Sequence, residues 1–379
     1  MKKLAIIGTV GLPAAYGGFE TLVDQLVVNL NEAFEITVYC SGKFYPKKTR
    51  LRTYKGAKLI YLPLNANGIQ SIPYDICSII HAVFKADLLL ILGVSGCILL
   101  PFFKFFTKKR FFVNIDGIEW KRDKWGAMIK RFLRYSEIQA IETAEGVITD
   151  NKVIQQYVAA TYGYESYLIE YGGDHAFHVP IKEEDIRQYP FLQSEYLFGV
   201  CRIEPENNIH IILKAVSRQT KYPFAMVGNW DKSQYGKDLK SKYSAIDHLY
   251  LIDPVYEPTA LNRLRSNCFL YLHGHCAGGT NPSLVEAMNL GVPIVAFDVG
   301  YNRATTEDSA LFFKDVIDLE LVLSNMNETW AKSVGDKMKA IADKRYTWKV
   351  IGKKYLRMLR AGAKQQSEAS IPVSKPLHN

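Results

Sequence analysis

The sequence predicts an α/β protein built from two parallel, doubly wound sheets. Short apolar runs of strand length alternate with helically spaced apolar residues through both halves of the chain. With 379 residues, 48% hydrophobic side chains and a mean hydropathy of −0.06, the chain can bury two separate cores and reads as soluble and globular. A polar segment from residue 171 to about 195 divides the alternation into two sets.

The first set opens with a buried strand at residues 4–9 and a Gly/Pro-containing loop at 11–18. Phe19, Leu22, Val23, Leu26, Val27 and Leu30 then recur at helical spacing, and the next strand is at 35–40. Gly8 and Gly11 do not fit the Gly-x-Gly-x-x-Gly dinucleotide fingerprint, which argues against a dehydrogenase. The apolar run after Met1-Lys2-Lys3 is too short for a secretory leader, and a first strand explains it better. Tyr16-Gly17-Gly18-Phe19-Glu20-Thr21, with paired glycines before a helix, is by itself a turn. Further strands follow at 59–64, 87–93, 111–116, 146–150 and 166–170. The longest apolar run, 88–103, has 16 residues interrupted by Gly93, Gly96 and Pro101, against about 20 needed to span a bilayer. Asp116 ends a predicted strand, where ligands bind in such sheets; it is either a site group or a cap on the turn at Gly117.

The second set has strands at 196–203, 224–227, 249–253, 268–272 and 294–297, with a helix from 206 and another at 259–266. Between the last two strands lies Gly278-Gly279-Thr280-Asn281-Pro282-Ser283-Leu284-Val285-Glu286-Ala287-Met288. Pro282 suits the first helical position, Thr280 or Asn281 can cap it, and Gly291 suits the left-handed position past its end. A helix N-terminus behind a glycine loop is a place to hold phosphate. Glu286, among apolar neighbours, is either paired with a Lys or Arg or faces the loop, where its removal would weaken ligand binding without unfolding the protein. A last helical pattern covers 348–359, and the Ser-, Lys- and Pro-containing residues 363–379 read as a disordered tail.

Cys40, Cys77, Cys97, Cys201, Cys268 and Cys276 are scattered, mostly in apolar runs, and read as reduced core thiols of a cytosolic protein. His273-Gly274-His275 offers two metal ligands on one strand face, but no further His, Cys or carboxylate cluster in the sequence completes a site. Residues 43–134 hold 18 Lys and Arg against five Asp and Glu, a net +13, whereas the whole chain is +9. Within this segment Lys104, Lys108, Lys109 and Arg110 interleave with Phe102, Phe103, Phe105 and Phe106. That pattern suits an anionic membrane surface; its alternatives are a buried Phe-rich helix with solvated lysines, or a nucleic-acid surface, for which no recognition motif is present.

Glu286 with Ala287-Met288 and Gly291-Val292-Pro293 resembles the donor-site motif of the metal-independent, retaining GT-B glycosyltransferases of the large family called family four. That family has a second Glu eight residues upstream, where this chain has Gly278. The resemblance extends over roughly residues 1–360 through Gly17-Gly18, Asp116, Gly173-Asp174, Arg202 and Glu286. More narrowly, the stretches around residues 8–21, 114–122, 201–208 and 273–288 look like the rhamnosyltransferase-type subgroup of bacterial cell-surface polysaccharide synthesis, in which the missing Glu is expected.

The resemblance implies a GT-B fold: two Rossmann-like domains at 1–175 (acceptor side) and 176–347 (donor side), with a helix at 348–362 returning to the first. It implies Asp116 and Arg202 as catalytic groups and Gly17, Gly18, Asn207, Gly279, Thr280, Asn281, Pro282, Ser283, Leu284 and Glu286 as donor-binding residues. Asp116 stands where many members have His, and Asn207 where they have Lys. The expected reaction is retaining transfer of a sugar, L-rhamnose from dTDP-L-rhamnose, to a saccharide acceptor that a membrane location would make lipid-linked. No cofactor or metal is implied, and the absence of any Asp-x-Asp agrees with metal independence. The expected location is cytoplasmic, peripheral at the inner face of the plasma membrane through Lys104, Lys108, Lys109 and Arg110. The competing class is a nonenzymatic nucleotide-sugar-binding or scaffold protein.

Overall fold

A computed structural model describes residues 1–14, 17–122 and 125–361; Tyr16 of the first glycine turn and the expected tail at 363–379 lie outside them. The chain divides into two compact units, one of Met1–Ile169 together with the stretch from Gly352, the other of Glu170–Ile351. The sequence reading puts these divisions at 175/176 and 347/348.

The first unit is an α/β sheet of eight strands: β1 (Lys2–Ile7), β2 (Phe34–Ser41), β3 (Thr53–Tyr54), β4 (Ala57–Leu62), β5 (Leu88–Leu92), β6 (Arg110–Asn114), β7 (Gly146–Thr149) and β8 (Tyr167–Leu168). Their order is β3-β4-β2-β1-β5-β6-β7-β8, parallel throughout except for the β3–β4 hairpin. The chain runs outward from β1 in one direction and from β5 in the other, so the order reverses between them. Ligands bind outside the carboxyl ends of strands at such a reversal. There Gly8, at φ 91°, lets β1 pass so close to β5 that a Cβ would overlap the carbonyl oxygen of Leu92. The loop that follows is tied to the first helix, Gly17–Leu30, because the Glu20 carboxylate accepts from Thr9 Oγ1 (2.8 Å) and the Val10 amide (2.7 Å).

The second unit repeats the plan with six parallel strands: β9 (Leu197–Val200), β10 (Phe224–Val227), β11 (Leu249–Ile252), β12 (Leu270–His273), β13 (Ile294–Phe297) and β14 (Leu311–Phe313). The order β11-β10-β9-β12-β13-β14 reverses between β9 and β12. Ile209, Ile212, Leu213 and Val216 of one helix, with Trp230 and Phe224, fill a core on this sheet.

The terminal helix is Trp348–Arg360, and its part from Gly352 belongs to the first unit, as the expected return of the chain requires. A Cβ at Gly352 would stand 2.8 Å from that of Asn29, and Tyr355, fully buried, accepts from Asn114 Nδ2 at 3.4 Å. Arg110 belongs to this internal packing. Its guanidinium pairs with Glu145 at 2.8 Å and donates to the carbonyls of Leu359 (3.1 Å) and Ala361. This corrects its place among the membrane-facing cations: a guanidinium spent on three internal oxygens is a clamp, not a docking group.

Among the described residues no helix is long and apolar enough to cross a membrane. All six cysteines are free thiols; Cys77 departs from the core expectation, being exposed on the helix Ser71–Val83.

Candidate donor site in the second unit

The reversal between β9 and β12 brings the ends of these two strands together. β9 and β12 pair with Leu197 opposite Leu270 and Phe198 opposite Tyr271, and Asn207 bridges the segments that follow them, bonding to Arg202 and His275. Arg202 is about half exposed and only loosely held, 3.9 Å from Glu204 and 3.7 Å from Glu206.

Asn207 does not extend toward a ligand as the matched Lys position implies. It is 2% exposed, its amide nitrogen donates to the carbonyl of Arg202 at 2.6 Å, and its oxygen meets His275 Nδ1 in a short hydrogen bond. Asn208 donates to the carbonyl of Gly274 at 2.9 Å. The two asparagines therefore fasten the turn at Pro205–Asn207 to the end of β12, and Asn207 acts through its neighbours.

The loop of Gly278, Gly279 and Thr280 leads into the helix Pro282–Asn289. Asn281, not Thr280, is the cap: its side-chain oxygen accepts from the Ser283 amide at 3.0 Å and from Ser283 Oγ at 2.8 Å. Tyr271 donates to Ser283 Oγ at 3.0 Å, joining the first turn to β12. Pro282 takes the first helical position and Gly291, at φ 68°, follows the last turn, as the sequence predicts. Leu284 is fully buried and anchors the helix from beneath, so it supports the donor loop and offers no side chain to a ligand.

Glu286 is the most strongly tied group of the site. Its Oε2 is paired with Arg265, whose side chain is 4% exposed, and its Oε1 lies 3.0 Å from His175 Nε2. Trp348 Nε1 donates to His175 Nδ1 at 3.0 Å. An indole N–H can only donate, so Nδ1 is the acceptor and the ring proton sits on Nε2, pointing at the carboxylate. Burial alone would push the Glu286 carboxyl up. The Arg265 charge and the His175 hydrogen bond outweigh it, and the group is held down at about 2. The expectation that this carboxylate faces the loop rather than the core gives way to the other reading the sequence leaves open, a carboxylate paired with a cation. Arg265 also donates to Asn262 at 2.9 Å, while its Nε has no hydrogen-bond partner among the described residues.

The sequence reading missed Arg265, His175 and Trp348. The one available signal for His175 is its place directly after Gly173-Asp174; there Asp174 accepts from the Trp348 amide at 2.7 Å, and a Cβ at Gly173 would overlap the carbonyl of Val285. Nearby, His273 is 4% exposed and held neutral, lowered to about 3 by burial and then by His275. No group of three metal-ligating side chains is present among the described residues.

The remaining candidates lie in the first unit. Gly17, at φ 81°, and Gly18 open the first helix, and a Cβ at Gly17 would sit 2.8 Å from the Glu20 carboxylate. Asp116 follows β6 with φ 58°, a left-handed conformation uncommon outside glycine. Its amide donates to Asn114 Oδ1 at 2.9 Å, so the strand end is turned by its own side chains. Lys104 and Lys108 are exposed and Lys109 is half-buried. On the helix Leu100–Phe106, Phe102, Phe105 and Phe106 are 59%, 83% and 65% exposed with rings in contact at 4.7 and 4.9 Å, while Phe103 is buried.

Residues 1–174 match a family model described as a domain of unknown function, DUF1972, and residues 181–317 match one described as glycosyl transferases group 1. Among solved structures, a sucrose-phosphate synthase from Thermosynechococcus elongatus is similar at 15% identity and a TM-score of 0.79, covering 95% of this chain and 98% of its own. HepE from Anabaena, solved in complex with UDP, is similar at 16% and 0.74, over 95% and 99% of the two chains. A glycosyltransferase from Rickettsia africae follows at 11% and 0.69, over 94% and 98%. No curated protein matches the sequence significantly. At these identities the structural likeness speaks for the fold: the chain has the GT-B fold, and residues 181–317, within its second unit, are similar to the glycosyl transferases of group 1.

Proposed function

We propose that the protein transfers a sugar from a nucleotide diphosphate sugar to a saccharide acceptor with retention of configuration, and without a metal. The observation that carries this reading is the construction of the second unit at its strand-order reversal. Arg202 and the capped N-terminus of the helix Pro282–Asn289 supply positive potential, and Glu286 is locked as an anion one turn along. HepE, which shares the fold, has been solved with UDP and with UDP-glucose. The bond from the anomeric carbon to the diphosphate breaks, the acceptor oxygen bonds to that carbon on the same face, and the acceptor proton passes to the leaving phosphate. Such a step needs electrostatic support of the phosphate and fixed reactants more than a carboxylate pair. Glu286 holds the nucleotide, Arg202 the diphosphate, and Asp116 the acceptor side.

The donor is L-rhamnose on dTDP, following the subgroup resemblance of the sequence. A screen of dTDP-L-rhamnose, UDP-glucose and their diphosphates with EDTA present tests the proposal. Turnover of dTDP-L-rhamnose that survives EDTA is the expected result. Activity lost to EDTA and restored by Mg²⁺ or Mn²⁺ would sink the metal-independent diphosphate site. A second reading, a nonenzymatic nucleotide-sugar-binding protein, draws on Gly278 and Asn207 standing where the family has Glu and Lys; binding with neither hydrolysis nor transfer would favour it.

The acceptor is lipid-linked and the protein peripheral at the inner membrane face. Exposed rings beside Lys104 and Lys108 combine apolar area with charge complementary to anionic lipid. Phe105→Ser/Phe106→Ser/Lys104→Ser/Lys108→Ser should reduce sedimentation with phosphatidylglycerol vesicles about tenfold at about 0.15 M salt, where screening acts over about 8 Å. Nucleotide affinity should stay at the parent value. Undiminished sedimentation would remove this helix from the membrane reading.

A further inference from the structure

We propose that the helix Ser71–Val83 inserts into an anionic bilayer beside the helix Leu100–Phe106, so that the outer surface of a whole helix layer of the first unit, and not one short helix, is the membrane-docking face. This rests on the membrane reading above and deepens it.

Sheet order assembles the layer. The steps from β4 to β5, β5 to β6 and β6 to β7 all run in one direction along parallel strands. Such crossovers are right-handed, so the helices they carry, Ser71–Val83, Leu100–Phe106 and Ala127–Thr143, share one face of the sheet. The step from β1 to β2 runs the other way and sends the helix Gly17–Leu30 to the opposite face. Side-chain contacts agree. Gly96, just before the second of the three helices, passes so close to the first that a Cβ would stand 2.8 Å from that of Asp75 and 2.9 Å from Ile79 Cδ1. Ser136 of the third donates to the carbonyl of Val94 in the same turn.

The helix Ser71–Val83 is apolar on both sides. Tyr74, Ile79, Ala82 and Val83 are buried. On the outside Ile69, Pro73, Cys77, Ile80 and Phe84 recur at helical spacing as a second stripe. Ile69, Ile80 and Phe84 of this stripe are 66%, 40% and 75% exposed. A helix that covers a core needs one apolar stripe, and this one has two. Asp75 is buried, so the outer stripe carries no ionic group. Phe102, Phe105 and Phe106 on the second helix and Met128 and Tyr135 on the third add exposed apolar side chains to the same layer. Contiguous apolar exposure marks an interaction site.

Charge decides what covers it. Lys85, Lys104, Lys108, Arg131 and Arg134 are exposed on the three helices or just past their ends, and the exposed carboxylate is Glu142, since Asp75 and Glu137 are buried. Two copies of the chain packed through this face would set cations against cations, in a segment of net +13. An anionic bilayer offers hydrocarbon to the apolar side chains and phosphate to the cations in one plane.

Cys77 lies within the stripe as an exposed thiol and can carry a probe. The full chain is labelled on thiols with an environment-sensitive fluorophore, and the Cys77→Ser protein, labelled alike, supplies the background of the other cysteines. With phosphatidylglycerol vesicles at about 0.15 M salt, the Cys77 emission should move to shorter wavelength and be quenched by lipids spin-labelled in the acyl chain. With phosphatidylcholine vesicles the shift should be several-fold smaller. Ile80→Ser/Phe84→Ser should lower sedimentation with the phosphatidylglycerol vesicles about tenfold, through lost burial of two apolar side chains. Its melting temperature and nucleotide affinity should stay at the parent values, since both side chains already face water. A parent that sediments while its Cys77 emission is unchanged overturns the proposal and leaves the helix Leu100–Phe106 as the docking element. Undiminished sedimentation of Ile80→Ser/Phe84→Ser overturns it too. So does a shift without vesicles accompanied by a doubled mass in light scattering, which would make the stripe a contact between copies. If the parent binds no vesicles, the membrane reading itself falls and takes the inference with it.

Discussion

Arg265→Ala is expected to lower the stability of the second unit by about 3–5 kcal/mol, the usual cost of stripping one partner from a buried ion pair. Both side chains are nearly shut off from water, at 4% and 14% exposed, so solvent cannot take over the lost interaction. Glu286→Ala should cost a similar amount, because among the described residues it leaves the buried guanidinium with Asn262 alone. Arg265→Met/Glu286→Leu, which removes both charges, should recover much of the loss. The pair also sets a pH signature. Its carboxyl is held at about 2 when folded, against about 4.3 unfolded. The folded value is the lower one, so its stabilisation, about 3 kcal/mol, is complete above the unfolded pKa and drains away as pH falls from about 4.3 toward 2. Denaturant melts of the parent should show this loss, and those of Glu286→Gln should lack that component. An Arg265→Ala protein within about 1 kcal/mol of the parent would show that the pair is not structural. Nucleotide affinity should fall with Arg265→Ala as well, since the carboxylate loses the partner that aims it.

Local signals made much of this molecule legible. The helix Pro282–Asn289 could be placed from Pro282, Asn281 and Gly291 because a first-turn proline, a capping side chain and a left-handed glycine act over a few residues. Strands β10 and β13 fall where the apolar runs put them. What failed was nonlocal. Arg265 lies 21 residues from Glu286 and His175 lies 111 away, and no pattern near Glu286 names either. Charge counting also misassigned Arg110, since a composition window cannot separate a cation in solvent from one spent on Glu145 and the terminal helix. The antiparallel β3–β4 pair went unread although Lys55 and Gly56, both at positive φ, mark a tight hairpin. Likewise, Asn207 at the position of a family Lys says which charge is missing. Only the folded turn shows that its amide is occupied by Arg202 and His275.

Gly274→Ala should destabilise the protein by about 3 kcal/mol, at the upper end of overpacking costs. It should do more damage than Gly278→Ala, although Gly278 has the unusual backbone. What the added methyl meets differs at the two positions. At Gly274 it would overlap the carbonyl oxygen of Asn207 and stand 2.9 Å from Ile212 Cδ1, so backbone and core must move together. That movement pulls on the Asn208 bond to the Gly274 carbonyl and on the Asn207–His275 pair. At Gly278 the neighbour it would meet among the described residues is His275 Nε2 at 3.4 Å, and the cost is the left-handed φ of 105°, about 1–2 kcal/mol for a non-glycine residue. The two variants should therefore separate in function as well. Gly274→Ala should lower the denaturation midpoint and loosen the turn that carries Arg202, weakening the diphosphate along with the sugar. Gly278→Ala should stay folded and keep its diphosphate affinity near the parent value, because its methyl meets no backbone among the described residues. If Gly274→Ala melted with the parent while Gly278→Ala collapsed, the turn at Pro205–Asn207 would be free to retreat from β12.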